Sequence, residues 1–433
     1  MNLSWDQFVL VILKPIRMIA YGQTAIILVI FLSQLGWPDS VIGLFMTLTL
    51  VGDVLLSFIV GALSHRKLAS PRTLLAAASI LVLLSGLVFA NCSSYPLLLS
   101  AAIIGVISPS GDDVGPFVSI ESSLIAHLTP YEERGVVFAL TAMLGTFGLA
   151  IGLASGGWLA EHAPAVFNIP MDGYRLIFWV YSAWGIISLL LVLTLTDRCE
   201  FSSNSDESIA ETINSSSENE TRPLLEEVES ETTVNTPQLA NAGDHLQAKA
   251  ARLPSLSFVL CLIFGIDSLA YGFMTNSWLV EYLVRQFKSS ATEIGEYLFI
   301  AQLISACTSI PSMWLTQWIG VIPAITSTKI AAGALAMVVP AAGSLQTSML
   351  LVMFRSLFDT MDVVPRNLFL TSVVPKHETI AILSWVNIVK TAGRSISPIG
   401  TGILAARNSL WVAFIIMGSL EWVFGVLVIA CFY

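Results

Sequence analysis

Charge is scarce in this chain. Asp, Glu, Lys and Arg make up 12% of its 433 residues, about half the share usual in a soluble globular protein. With 55% hydrophobic residues and a mean hydropathy of +0.78, that scarcity excludes a soluble domain and puts the chain in a bilayer. Cysteine is sparse too. Cys92, Cys199, Cys261, Cys307 and Cys431 show no paired spacing, which excludes a disulfide framework and a thiolate metal site. None of the five histidines falls at the centre of an apolar run, so a histidine proton relay is not expected. Phosphate-binding loops, zinc-ligand pairs and nucleophile elbows are all missing. No cofactor, metal or nucleic acid is therefore expected, and nothing points to an enzyme. Met1 to Gln7 lacks a basic n-region and a small-residue cleavage site, so the first apolar run reads as a retained span.

Even the net charge of -10 says little about a partner. Residues 200 to 253 hold eleven acidic residues against Arg222, Lys249 and Arg252, so eight of the ten negative charges belong to one stretch. That stretch is rich in Ser, Glu, Asn and Thr and has no apolar period. It cannot bury enough surface to offset ordering and is expected to be a disordered linker.

Long hydrophobic runs, by contrast, are everywhere. A transmembrane helix needs about 20 mostly apolar residues, and twelve such runs occur, near 8–35, 40–63, 72–90, 96–127, 135–160, 174–196, 255–286, 294–317, 325–343, 348–373, 380–406 and 409–431. The two sets of six echo each other. Ala20-Tyr21-Gly22 and Ile42-Gly43 return as Ala270-Tyr271-Gly272 and Ile294-Gly295, and Pro130, Glu133, Gly148, Gly157, Leu159 and Ala160 recur 245 residues later. The expected fold is an all-α membrane protein, twelve transmembrane helices in two pseudo-symmetric six-helix bundles. Residues 1–197 form the first bundle, 198–253 the acidic linker and 254–433 the second bundle, a duplication typical of membrane transporters.

Lys and Arg accumulate in cytoplasmic loops. His65, Arg66, Lys67, Arg72, Arg134, Lys376 and His377 fall on one side, against Arg175, Arg285, Lys288 and Arg407 on the other. Both termini and the linker are thus expected in the cytoplasm. Within the linker, Glu220 stands four residues before Leu224 and Leu225, the spacing of an acidic dileucine sorting signal that a sorting adaptor would read; a chance Leu pair is the alternative. A vacuolar or plasma membrane location is expected.

An ionisable side chain at mid-membrane costs roughly 2.5 to 3.5 kcal/mol on insertion scales, so those inside the runs are informative. The tenth run carries Arg355, Asp359, Asp362 and Arg366 on one helical stripe. The stripe is either a set of i,i+4 pairs that make the helix insertable or the lining of a cavity whose pairings change. The fourth run is interrupted by Ser108-Pro109-Ser110-Gly111-Asp112-Asp113-Val114-Gly115-Pro116. Helix cannot continue unperturbed there; the paired carboxylates either include a proton carrier or cap the following helix. The repeats place Arg17 opposite Asp267 and Glu121 opposite Arg366, opposite signs at matching positions. Such residues either bridge the two bundles or pair within their own. Lys390 and Arg394 add two cations to the eleventh run, which suggests an anionic or zwitterionic ligand leaning on the second bundle. Glu281 and Glu421 read as too near span ends to take part. Glycines four apart at 148, 152 and 156 mark a close helix approach.

Three segments carry a family likeness. Gly61-Ala62-Leu63-Ser64-His65-Arg66-Lys67, with Asp53 upstream and Arg72 downstream, resembles the gating loop of the major facilitator superfamily, although His65 and Leu68 depart from its pattern. Ser108 to Pro116 with Glu121, Pro130, Glu132, Glu133 and Arg134, and Asp362, Pro365, Arg366, Pro375, Glu378, Gly393, Arg394 and Pro398, are similar to a bacterial and fungal branch of that superfamily. The resemblance implies alternating access by two rocking bundles, with spans one, four, seven and ten lining the cavity. It also implies gating roles for Asp53 and Arg66.

Together these features describe a secondary transporter of a small organic solute, expected to be proton-coupled and monomeric. Glu121, or Asp112 with Asp113, would carry the proton. Arg17, Arg366, Lys390 and Arg394 would hold the solute's negative group or pair with the carboxylates of their spans, Asp267, Asp359 and Asp362 among them. The alternative is a non-transporting nutrient sensor that signals through the linker.

Overall fold

The computed structural model describes residues 4–65, 70–105, 107–111, 113, 116–166, 172–196, 256–374 and 379–433. The linker, with Glu220, Leu224 and Leu225, lies outside the described residues, as do Arg66 and Asp112. Helix occurs at every one of the twelve apolar runs, and no strand occurs among the described residues.

Six helices each follow one run without interruption: α1 (Trp5–Gln34), α2 (Asp39–His65), α3 (Pro71–Asn91), α6 (Tyr131–Val166), α7 (Gly173–Leu193) and α12 (Val321–Val338). Two more, α15 (Thr379–Ala406) and α16 (Leu410–Phe432), close the chain. The remaining four runs are each broken in two. The fourth gives α4 (Tyr95–Ile104) and α5 (Pro116–Leu128), and the seventh gives α8 (Leu256–Phe273) and α9 (Asn276–Phe287). The eighth gives α10 (Ala291–Cys307) and α11 (Ser309–Ile319), and the tenth gives α13 (Leu345–Met361) and α14 (Val363–Val373). Eight of the described helices are by themselves long and apolar enough to cross a bilayer, and a ninth crossing arises if the bent α10–α11 pair is one span.

Helix starts follow local chemistry. Ser4 opens α1 in a reciprocal capping box with Gln7, its backbone N–H donating to Gln7 Oε1 at 2.8 Å. Ser70 accepts from the Thr73 amide ahead of Pro71, whose missing N–H costs nothing at a first turn. Asp172 and Ser344 cap α7 and α13 in the same manner.

The chain divides into two compact units, Met1–Asn219 with Thr275–Phe299, and Glu220–Met274 with Ile300–Tyr433. Each repeats the packing scheme of the other. In the first, α1 lies along α6 and α3 against α7; in the second, α8 lies along α15 and α12 against α16. The duplication legible in the sequence is thus a duplication of helix pairs. Phe31, Phe45, Phe89 and Phe178 form the aromatic centre of the first unit. Phe264, Phe369, Phe424 and Phe432 do so in the second.

Small residues let α1 and α6 meet backbone to backbone. A Cβ on Gly152 would overlap the Ile19 carbonyl oxygen and stand 3.0 Å from Gly22 Cα, and one on Gly148 would stand 2.5 Å from the Pro15 oxygen. The glycine row read from the sequence is therefore a packing face. It leaves α1 enclosed, with 83% of its apolar window inside the protein against 33–56% for the other seven spans. Enclosure is what allows α1 to carry buried charge.

Candidate functional site

Each unit buries a knot of opposite charges. In the first, Arg17 of α1 is 6% exposed. Its guanidinium grips Glu121 of α5 with two nitrogens, Nη1 to Oε1 and Nη2 to Oε2, the latter at 2.8 Å. Nε and Nη2 also donate to Asp113 Oδ1 at 3.1 and 2.9 Å. Lys14, one turn earlier on α1, places Nζ 3.2 Å from Asp113 Oδ2. The planar fork of an arginine suits such paired contacts, and the ring of Phe117 covers it at 4.8 Å. Beside the knot is a cavity lined by Arg17, Glu121, Tyr21, Ser79, Trp184 and Ser188, with about 20 Å³ open to the centre of a water molecule. That is room for a single water.

The break in the fourth run is what brings Asp113 to α1. Gly111 takes φ +77°, left-handed backbone that glycine adopts without strain, and its N–H closes a turn on Ser108 O at 3.2 Å. Carbonyls released by the break meet side chains of α9. Asn276 Nδ2 donates to Ser110 O at 2.7 Å, and Ser277 Oγ lies 2.5 Å from Pro109 O and 2.7 Å from Ala25 O. The Pro109 and Ser110 carbonyls are thus satisfied by protein. At the far end of α9, Arg285 makes a two-nitrogen contact with Asp39 at 2.8 and 2.6 Å and donates through Nε to Glu281 at 2.5 Å.

In the second unit, Lys329 of α12 is the hub. It is 5% exposed, and its Nζ lies 3.0 Å from Asp267, 3.3 Å from Asp359 and 3.3 Å from Asp362. Arg366 of α14 donates to the other oxygen of Asp267 at 2.8 Å. Arg355 of α13 turns to Glu421 of α16 at 2.9 Å.

The geometry shows where the charges of the runs lie. Arg17 pairs with Glu121 and Arg366 with Asp267, each inside its own unit, so pairing within bundles is the arrangement realised. The i,i+4 pairs on the tenth run are the looser contacts: Arg355–Asp359 is 3.7 Å and Arg366–Asp362 is 3.8 Å. Each of the four residues has a nearer partner on another helix. Glu421, read above as too near a span end, sits halfway along α16, at the middle of its own apolar run, and is 2% exposed. Lys329 is missed by sequence reasoning because its helix begins at Val321, four residues before the apolar run, so a residue near the run's edge is a full turn deeper. Lys14 lies inside the first run, where the same charge argument finds it. Arg394 of α15 lies with its guanidinium 4.5 Å above the Tyr271 ring, and Lys390 is one turn away on the same helix. Asp53 of α2 is buried.

A family model described as Major Facilitator Superfamily matches residues 15–354. A Saccharomyces cerevisiae relative, described as uncharacterized membrane protein YJR124C, is 34% identical over 421 residues, covering 96% of this chain and 92% of the relative. Among solved structures, the inward-open xylose transporter XylE from E. coli superposes with a TM-score of 0.69 at 15% identity, covering 99% of this chain and 96% of that one. The nucleoside transporter NupG gives 0.67 at 13% identity, covering 100% and 99%. The human organic anion transporter MFSD10 gives 0.56 at 14% identity, covering 99% and 100%.

Proposed function

This chain belongs to the major facilitator superfamily and is a membrane transporter rather than an enzyme, and we propose that it is a secondary active carrier that moves a small organic solute by alternating access, coupled to protons. The observation that carries the reading is the pair of buried ion knots, Lys14–Arg17–Asp113–Glu121 and Asp267–Lys329–Asp359–Asp362–Arg366. A membrane protein that needed only stability would gain as much or more from apolar packing at these positions. Cations that each hold two or three carboxylates at once are, by contrast, the raw material of an element whose pairings can change.

Glu121 and Asp113 both lean on Arg17, so a proton reaches either only by displacing the guanidinium. That displacement is the coupling step we assign to the first unit. Lys390 and Arg394, one turn apart on α15, are assigned to the solute's negative group. Xylose and nucleoside carriers share this fold, as does an organic anion carrier, and a polar organic solute is consistent with all three. Termini in the cytoplasm, a vacuolar or plasma membrane location and a monomeric carrier complete the reading. The sensor alternative finds no support in the family or its relatives.

The test is metabolite profiling of whole cells and isolated vacuoles after deletion of the Saccharomyces cerevisiae relative. Deletion strains are complemented with this chain or with its Glu121→Gln form. One solute class should shift on deletion and return only with the unaltered chain, and that return should vanish when an ionophore collapses the pH gradient. Equal rescue by both forms would remove Glu121 from coupling, and an unshifted profile would remove the transport reading.

A further inference from the structure

Asp53, a buried carboxylate of the first unit, belongs to neither knot. The inward stripe of α2 runs Ile42, Phe45, Met46, Thr49, Leu50 and then Asp53, all 4% exposed or less. The spacing of three and four is that of one helix face. Asp53 therefore continues an apolar stripe into the core, about 20 Å along a helix that starts at Asp39. Gly52 beside it is pressed on α4, since a Cβ there would stand 2.5 Å from Ile103. Both Asp53 carboxyl oxygens are inaccessible and have no hydrogen-bond partner. Ser57 Oγ donates to the Asp53 backbone carbonyl at 2.8 Å and leaves the carboxyl untouched.

Among the described residues, what surrounds it is neutral. Tyr21 of α1 and Tyr181 of α7 are the titratable groups in electrostatic contact with Asp53, and among the described residues no cation from α1, α4, α5 or α7 joins them. The Tyr181 hydroxyl is committed to Gly105 O at 3.2 Å, whereas the Tyr21 hydroxyl is fully buried with no partner. Tyr21 also lines the water-sized cavity beside Arg17 and Glu121. The charge balance points the same way. Lys14 and Arg17 offset Asp113 and Glu121 one for one, so an ionised Asp53 would be a lone buried charge in a membrane, with no donor to stabilise it.

We propose that Asp53 is a proton-holding site of the transport cycle, a neutral carboxylic acid in this conformation that exchanges its proton with water by way of the Tyr21 side of the cavity. On release the Oδ–H bond breaks, the proton passes to water as hydronium and Asp53 becomes an anion; on reloading the same proton is returned. No other reactant is needed. The site is distinct from the Arg17-bound carboxylates: those release or accept a proton only against a guanidinium, whereas Asp53 does so against burial alone. The inference rests on the proton-coupled reading and deepens it.

Its test needs no knowledge of the solute. Infrared difference spectra of the purified full chain in lipid, recorded across a pH titration, should show a protonated-carboxyl stretching band that fades as pH rises. Asp53→Asn should remove that band, while Asp113→Asn and Glu121→Gln should leave it. Should the Asn form fail to fold, Asp53→Glu should move the band to a glutamic-acid frequency. A band absent from the unaltered chain, one that survives Asp53→Asn unchanged, or one that never titrates would each overturn the assignment. Failure of the coupling reading appears elsewhere, as ionophore-insensitive solute flux, and is separable because the infrared band reports the proton and not the cargo.

Discussion

Arg366 donates to Asp267 at 2.8 Å, and this pair is the sign-inverted counterpart of Arg17 with Glu121. In the first unit the cation stands on the opening helix and the acid on the second half of the broken fourth run. In the second unit the acid stands on the opening helix and the cation on the second half of the broken tenth run. Duplication kept the contact between these two positions and exchanged its ends.

If the contact and not the residue type is what the fold needs, a swap within one unit should be tolerated better than either half of it. Arg17→Glu alone leaves three carboxylates around Lys14 and should cost about 3–5 kcal/mol, the range for breaking a buried pair. Glu121→Arg added to it should recover a large part of the lost folded yield. Fluorescence-detected size-exclusion of the single and double variants decides this; a double variant no better than Arg17→Glu would contradict it.

Lys329 compensates Asp267, Asp359 and Asp362 at once. Lys329→Met should therefore be more damaging than Asp359→Asn, with a loss of about 3–5 kcal/mol for the uncompensated buried charge. Lys329→Arg should keep most of the stability, since it retains the charge. Thermal midpoints of the three purified variants check the order.

Gly152 has no room for a side chain. Gly152→Val should separate α1 from α6 and lower the folded yield, by about 1–3 kcal/mol or more for overpacking. Gly343, where a Cβ would meet nothing within 4 Å, is the control: Gly343→Ala should behave as the unaltered chain. Equal yields of the two variants would mean that α1 and α6 can part without loss.

Removing the Asn276 amide leaves the Ser110 carbonyl buried without a donor. Asn276→Ala should cost about 1–3 kcal/mol, and the Asn276→Ala, Ser277→Ala pair more than either alone, because both serve one break. Hydrogen–deuterium exchange should rise at residues 107–111 and in α9 while α3 and α7 stay protected. Uniform exchange across the unit would show that the contact is not local.

Much of this was legible in the sequence because a bilayer simplifies reading. Lipid-exposed backbone must be satisfied internally, which a single segment achieves as helix, so apolar length alone announces helix, and the six-plus-six echo announces two like units. Arg17, Glu121, Asp267 and Arg366 stand out for the same reason, as charges where charge is costly. Partner choice was not legible. A helix presents a residue to neighbours from any part of the chain, and i,i+4 spacing names Arg355–Asp359 and Asp362–Arg366 when the closer contacts run to Glu421, Lys329 and Asp267. Breaks at Met274 and Thr275, and at Asp362, are equally invisible, since no proline cluster marks them as one marks Ser108 to Pro116.

The sequence by itself determined that this chain is a duplicated helical membrane protein with buried charge on its first, fourth, seventh and tenth runs; hydropathy and spacing are local and additive along a chain. Only the tertiary structure decided which charges neutralise one another and that Asp53 is left without a partner. Compensation depends on distances of about 3 Å between helices far apart in sequence, and packing alone fixes those.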